Sequence, residues 1–324
     1  MNNSASQISN SNFDFGLQSG SWNLETGISI IGAGRIGGAL AIALAKKGAH
    51  IENVVSRSLA SAAELARQLG SKPHVFEIDN LAGFRFSSIV LITAPDSVIA
   101  SVAERLVQLL PPAGTIFLHT SGALSSGVLK CLRDAGGAVG SLHPLVAVSD
   151  SRVGAEKFAN AYFCLEGDPA ALEVSEKIVA ELNGVAFSIL PEQKSLYHAA
   201  AVMSAGHLVA LFDLAAATLA DCGLEKSAAE KILLPLVQSV VANLERQTPA
   251  AALTGTFARA DAQTMRKHLT ALTDQAAFNV YVELGLRSLR LAAERGVADP
   301  QKIIEMQREL EEISKTNSWS KQTN

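Results

Sequence analysis

The sequence predicts an α/β chain, with a doubly wound parallel sheet in the N-terminal half and an all-helical C-terminal half. Three observations predict it. Short β-like runs alternate with helical stretches up to about residue 190, the pattern of βαβ units. After Pro191 the texture changes to long Ala/Leu-rich stretches with helical periodicity and no convincing strand. Apolar residues make up 48% of the 324, against 18% charged, which is enough for substantial cores and too little charge for a disordered chain.

The elements follow in order. GISIIG (27–32) reads as a strand, and Gly37 to Lys47 as a helix ended by Gly48. IENVVS (51–56) is a second strand, and Ala60 to Leu69 a helix stopping at Gly70. SSIVLITAP (87–95) is a third strand, Ser97 to Leu110 a helix ended by Pro111 and Pro112, and GTIFLHT (114–120) a fourth strand. Short runs at 138–142, 161–166 and 185–190 extend the sheet. Helices are expected over 192–221, 226–246, 261–272, 274–295 and 299–314, the last carrying Ile303, Met306, Leu310 and Ile313 on one face. The domain boundary falls near Pro191, giving a sheet domain over 25–190 and a helical domain over 191–314. The polar ends, 1–24 and 315–324, read as disordered tails.

Composition narrows the function classes. Net charge is −4 and no basic run occurs, which argues against a nucleic-acid partner. Cys131, Cys164 and Cys222 are odd in number and far apart, with no C-x-x-C pair, so reduced thiols in a reducing compartment are expected. The first residues show neither a basic start nor an apolar core of a secretory signal, and the expected location is the cytoplasm. The stretch 199–220 has about the length of a membrane span. It carries His207 and Asp213, is rich in alanine and lacks basic anchors, so it reads as the buried centre of a helical domain or of a homodimer rather than as a membrane segment.

Gly32-Ala33-Gly34-Arg35-Ile36-Gly37 is G-x-G-x-x-G, placed directly after a strand and opening a helix. That context is the Rossmann dinucleotide-binding fingerprint: Gly32 for the tight turn, Gly34 for backbone approach to a pyrophosphate, Gly37 for close helix–strand packing. The pyrophosphate would meet free N–H groups at a positive helix end. The second strand ends Ser56-Arg57-Ser58 with no acid for a ribose 2′-hydroxyl. Arg57 offers a planar cation to a 2′-phosphate and the two serines offer hydroxyls, which points to NADP(H); the alternative is an ordinary surface arginine. Thr93-Ala94-Pro95 and His119-Thr120-Ser121-Gly122 finish the next two strands at the ligand edge of such a sheet, with Ser121 and Gly122 as candidate nicotinamide or substrate contacts, or as turn formers.

Together with this start, HTSGAL (119–124), SLHPL (141–145), LYHAAAV (196–202), LLPLV (233–237), LTGTFARAD (253–261) and HLTAL (268–272) resemble one family. It is the bacterial Rossmann-like proteins with a C-terminal domain of unknown function, DUF2520. The family resembles in turn a superfamily that includes ketopantoate reductase, pyrroline-5-carboxylate reductase and the β-hydroxyacid dehydrogenases. That resemblance implies NAD(P)H-dependent hydride transfer at a site between two domains. The chain departs from the family at Thr256, where proline is usual, at Ala260, where glycine is usual, and at Ala205-Gly206, in place of Ser-Asn.

The resemblance to β-hydroxyacid dehydrogenases, which place Lys and, four residues on, Asn on the first helix after the sheet, puts Lys194 and His198 at the catalytic positions. A separation of four sets them on one helix face, extended by Ala201 and Ala205. Either both donate protons near the nicotinamide, or Lys194 is a solvated first-turn residue and His198 a core histidine. His143, before Pro144, is either a substrate contact displayed at the sheet edge or a structural loop residue. Thr254, Arg259 and His268 are the substrate candidates of the second half. Arg259 either clamps a carboxylate or pairs with Asp261, which is itself a candidate helix cap, and no metal site is expected from these histidines. The functional expectation is an NADPH-dependent reductase of a small keto acid, ketopantoate-like, or of an imine. The alternative is an NADP-binding sensor or scaffold without chemistry.

Overall fold

The computed structural model describes residues 27–319. Its first elements are β1 (Ile28–Ile31), α1 (Arg35–Lys46), β2 (Ile51–Ser56), α2 (Leu59–Gln68), β3 (His74–Glu77), β4 (Ile89–Ile92), α3 (Asp96–Val107) and β5 (Ile116–His119). Then come α4 (Lys130–Asp134), β6 (Ala138–Pro144), α5 (Ser151–Gly154), β7 (Tyr162–Gly167), α6 (Pro169–Glu181) and β8 (Val185–Ser188). The rest is helical: α7 (Lys194–Ser204), α8 (Gly206–Ala220), α9 (Lys226–Leu244), α10 (Pro249–Ala252), α11 (Gly255–Ala258), α12 (Ala262–Ala271), α13 (Gln275–Arg295) and α14 (Pro300–Trp319). By contacts the chain divides between Val202 and Met203, so α7 as far as Val202 falls with the sheet rather than beyond a boundary at Pro191.

In the first unit the sheet order is β3-β2-β1-β4-β5-β6-β7-β8. Strands β3 to β6 are mutually parallel, β7 runs antiparallel to β6, and β8 is parallel to β7. The inner strands β1 (ISII) and β4 (IVLI) are buried along their whole length, as parallel strands covered on both faces must be. Side chains alternate between faces. Ile30 thus joins one core with Leu40, Leu44 and Val54, while Ile31 joins the other with Val55, Ile99 and Phe117. Besides the short helices α4 and α5, β3 and α6 of this unit went unrecognised in the sequence. β3 is a half-exposed edge strand without an apolar run, and α6 begins at an Asp-Pro pair that reads as a turn.

One loop stores strain. Leu110, between α3 and Pro111, has φ +53 and is 85% exposed. A left-handed backbone costs an L-residue about 1–2 kcal/mol, and this side chain has little burial to lose. Leu110→Gly is therefore expected to raise stability by about 1 kcal/mol, after the loss in unfolded-state entropy. The change would appear as a higher urea midpoint; an unchanged or lower midpoint would contradict it.

In the second unit the apolar stripe of α14 packs as its spacing predicts. Ile303, Met306 and Leu310 join Met265, Val282 and Leu289 in one core. α13 ends at Gly296 in the left-handed conformation that closes many helices. Three expectations need correction. The helix expected over 192–221 begins with a 3-10 turn at Pro191–Gln193 and is broken at Ala205, where φ −118 and ψ −74 leave the helical ladder before Gly206 opens α8. Of the two alternatives for the stretch 199–220, the single chain does not show the buried centre of a helical domain: α8 buries Ala216 alone and α9 Ala229 alone, with Val209 69% and Leu236 62% exposed, which leaves the homodimer alternative. The final helix continues to Trp319, past its expected end at 314. The tail 1–24 lies outside the described residues, as does the end of the C-terminal one.

Candidate functional site

The turn after β1 is built around its glycines. Gly32 sits at φ +123, and a Cβ there would come within 2.8 Å of the Thr93 carbonyl. The Thr93 hydroxyl donates to the Gly32 carbonyl at 2.7 Å, tying the end of β4 to the turn. A Cβ on Gly37 would collide with the Gly32 carbonyl and the Thr93 hydroxyl, so only glycine lets α1 pack this close. Gly34 differs. It is exposed, nothing lies where its Cβ would be, and as N-cap of α1 it leaves the first turn without a side-chain cap. Ala33 and Ile36 are half-buried beside it and Arg35 is exposed. Free N–H donors at a positive helix end, open to an approaching group, are an anion site in outline.

At the end of β2, Ser56 is half-buried and Arg57 and Ser58 are exposed. The Ser58 hydroxyl accepts the Ser61 N–H at 3.3 Å, capping α2. The unrecognised strand β3 brings an acid here: Glu77 lies opposite Ser56 in the sheet and accepts the Leu59 N–H at 3.0 Å. Ala94 and Pro95 lead into α3, with Pro95 as its uncapped N-terminal residue.

A denser cluster lies beyond β5 and β6. His119 is fully buried and its Nδ1 accepts the Ser121 N–H at 3.1 Å, which puts its own proton on Nε2. Burial, reinforced by the nearby Lys194 cation, lowers its pKa to about 4. Thr120 is half-buried. The Ser121 hydroxyl accepts the N–H groups of Ala123 and Leu124, curling the loop. Lys194, 1% exposed, donates from Nζ to the Ser121 carbonyl at 2.9 Å and the Ser141 hydroxyl at 2.8 Å. Burial lowers its pKa, opposed by the nearby Cys164 thiol and Glu166 carboxylate. Buried Glu166 accepts the Ser126 N–H at 2.5 Å and the Ser126 hydroxyl at 2.9 Å. β6 runs three residues past the register partner of His119 and so carries His143 to the same edge.

His143 Nδ1 lies 2.6 Å from the Tyr197 hydroxyl, and its ring stands edge-on to that of His198 at 5.7 Å. Burial lowers the His143 pKa to about 3, helped by Lys194 and the other two histidines. Burial, with the Cys164 thiol beside it, raises the pKa of Tyr197 above the ordinary phenol value. Buried Gly122 faces both histidines: a Cβ on it would strike His198 Nδ1 and come within 2.9 Å of His143 Nε2. His198 Nδ1 is itself buried and without a hydrogen-bond partner.

The structure thus brings together His119, Ser121, Gly122, His143, Lys194 and His198, all in the first unit. It corrects the alternative reading of Lys194 as a solvated first-turn residue, because its ammonium is enclosed and bonded to the protein. The stripe through Ala201 and Ala205 also ends early, at the break in α7. Thr254, Arg259 and His268 belong to the second unit. Thr254 and Arg259 are exposed there, and His268 Nδ1 pairs with the Tyr281 hydroxyl at 2.8 Å. Asp261 accepts the Thr264 N–H and hydroxyl as the cap of α12. Ala260 holds φ +51, the left-handed region that favours glycine. Sequence reasoning missed Tyr197, Ser141, Cys164, Glu166 and Glu77. LYHAAAV contained the tyrosine, but nothing local links it to His143.

Solved structures share this fold. BF3122 of Bacteroides fragilis, assigned provisionally as an NADP oxidoreductase, aligns at TM-score 0.67 and 24% identity over 81% of this chain and 97% of its own. Protein TM1727 of Thermotoga maritima aligns at TM-score 0.66 and 26% identity over 82% and 98%. A reductive aminase from Aspergillus terreus, in complex with NADPH and ethyl levulinate, aligns at TM-score 0.53 and 18% identity over 90% and 94%. No curated protein matches. Residues 17–144 match a Rossmann-like domain model, and residues 161–288 match the domain of unknown function DUF2520. The chain is a Rossmann-like protein with a C-terminal DUF2520 domain.

Proposed function

We propose that the chain is a soluble, cytoplasmic oxidoreductase that uses NADP(H) to reduce a small keto acid or imine. One observation carries the reading: the open glycine turn at Gly34 and the cluster of Lys194, His143 and His198 belong to one unit and cluster at the carboxyl edge of parallel strands, where ligands of such sheets bind. A dinucleotide fits the turn, since the first turn of α1 is uncapped and the space beside Gly34 is empty. When bound, NADPH supplies the hydride. Lys194 holds the Ser121 carbonyl in place and adds to the burial that lowers the pKa values of neighbouring His119 and His143. His198, half-buried, supplies the proton. The solved relatives assigned to NADP and to reductive amination support this chemistry. Oxidation of NADPH by a panel of small keto acids and cyclic imines tests it; binding of NADPH with no turnover of any would favour the sensor reading instead.

The cofactor assignment makes its own prediction. Arg57 offers a bidentate cation beside Ser58, so Arg57→Ala is expected to weaken NADPH by ~1.5–3 kcal/mol and to leave NADH nearly unaffected. Titration of both cofactors decides, and equal losses for the two would remove Arg57 from the 2′-phosphate.

The exposed faces of α8 and α9 extend the proposal to the oligomer. Pro191–Ala220 contains an 18-residue window apolar enough for a membrane span, with 6% of that window buried. Within that stretch Asp213 is held by Lys226 at 2.6 Å, and an ion pair of this kind suits a protein partner better than lipid. A second copy covering Leu208, Leu211, Leu236 and Val240 is the proposed arrangement. Sedimentation at low micromolar concentration should give twice the chain mass.

A further inference from the structure

We infer that Tyr197 is a positioning residue that holds His143 as the Nε2–H tautomer, so that this N–H is offered beside Gly122 as a hydrogen-bond donor to the heteroatom being reduced. The inference rests on the reductase reading and adds to it a residue and a defined protonation state.

The contact of 2.6 Å between the Tyr197 hydroxyl and His143 Nδ1 permits two arrangements. Either the phenol donates to a bare Nδ1, or Nδ1–H donates to the phenol oxygen. Acid–base strength selects the first. A phenol is a stronger acid than a neutral imidazole N–H, and a bare imidazole nitrogen is a stronger acceptor than a phenol oxygen, so across 2.6 Å the phenol donates to Nδ1. An imidazolium is disfavoured at this place, because the groups facing His143 are the Lys194 cation and two more histidines in a buried setting. Glu166, the buried carboxylate of the cluster, is already committed to Ser126. A neutral His143 with a bare Nδ1 carries its one proton on Nε2.

That nitrogen is aimed at Gly122, the point against which His198 Nδ1 also rests. The glycine is needed there, since any side chain would displace His198. Two imidazoles thus meet at one backbone atom, with different tasks. His143 orients and polarises a C=O or C=N through a neutral N–H, while His198 provides the proton. A neutral imidazole is suited to the first task because it donates without transferring its proton in the resting state.

Long-range proton–nitrogen correlation on the nitrogen-15-labelled full chain tests this without any ligand, with His143 assigned by its absence in His143→Gln. The expected spectrum shows His143 as the Nε2–H tautomer from pH 5.5 to 8, with no titration in that range. In Tyr197→Phe the resonance should move towards a mixture of tautomers. With a turned-over substrate, kcat of this variant should fall roughly 10–100-fold, the usual effect of losing the partner that orients a functional imidazole, while NADPH affinity holds. An Nδ1–H tautomer in the parent protein overturns the inference whether or not the variant folds, and so does an unchanged tautomer in Tyr197→Phe. If the protein reduces no substrate, the reductase reading fails while the tautomer result still stands or falls by its own spectrum.

Discussion

His198→Ala is expected to bind NADPH as the parent does and to lose turnover by roughly 10²–10⁴-fold, the contribution of a positioned proton donor. Three features of the site lead to this expectation. Lys194, the other donor on the same helix face, has its ammonium enclosed and bonded to Ser121 and Ser141, so it does not reach a substrate without breaking both bonds. His143 spends one ring nitrogen on Tyr197 and is held neutral by burial, which makes it a poor proton source. His198 is half-buried with Nδ1 closed off against Gly122, leaving Nε2 as the nitrogen through which it exchanges a proton. The glycine turn after β1 is built from other residues, which is why cofactor affinity should hold. Steady-state rates with NADPH and a substrate from the panel, set beside a direct titration of NADPH, measure both halves. Full activity in His198→Ala would remove the residue from the chemistry.

Acid should destabilise the protein through His119. Its pKa is lowered from the ordinary 6.5 to about 4, chiefly by burial. Above pH 6.5 the residue is neutral in folded and unfolded chains alike. As the pH falls from 6.5 towards 4 the unfolded chain takes up a proton that the folded one refuses, so unfolding is favoured over that window. The loss levels off below pH 4, at about 3 kcal/mol for this residue. His143, lowered further, pushes the same way. His119→Gln keeps an acceptor for the Ser121 N–H and removes the titration, so its urea midpoint should fall less steeply between pH 6.5 and 4.5 than that of the parent. Parallel acid slopes for the two proteins would show that His119 does not carry the effect.

The elements whose signals are local were legible. β1, β2, β4 and β5 are short apolar runs closed by glycine, proline or serine, and they lie where those runs lie. Gly32 and Gly37 are required by a φ of +123 and by a backbone collision, both of which the spacing G-x-G-x-x-G already encodes. The stripe of Ile303, Met306 and Leu310 is a 3.6-residue period, and it packs as one. β3 was not legible, because an edge strand with two half-buried residues has no periodic signal, and with it Glu77 was lost from the ribose end of the turn.

The amino-acid sequence by itself determined the turn, the parallel strands, the helical second half and which histidines and lysine were available for chemistry. These follow from backbone sterics and hydrophobic period, which act over a few residues. Only the tertiary structure decided what those side chains touch. Ser121, Ser141, Cys164 and Lys194 come from the loop after β5, from β6, from β7 and from α7, and they meet because the strand order places β5, β6 and β7 side by side with one of them reversed. Lys194 was open to two readings, a proton donor near the nicotinamide or a solvated first-turn residue, and it is buried because the Ser121 carbonyl of the loop after β5 and the Ser141 hydroxyl of β6 close over it. The stretch 199–220 looked like a core because it is apolar, yet its exposure depends on which helices pack on it, a property of the assembled chain that composition does not encode.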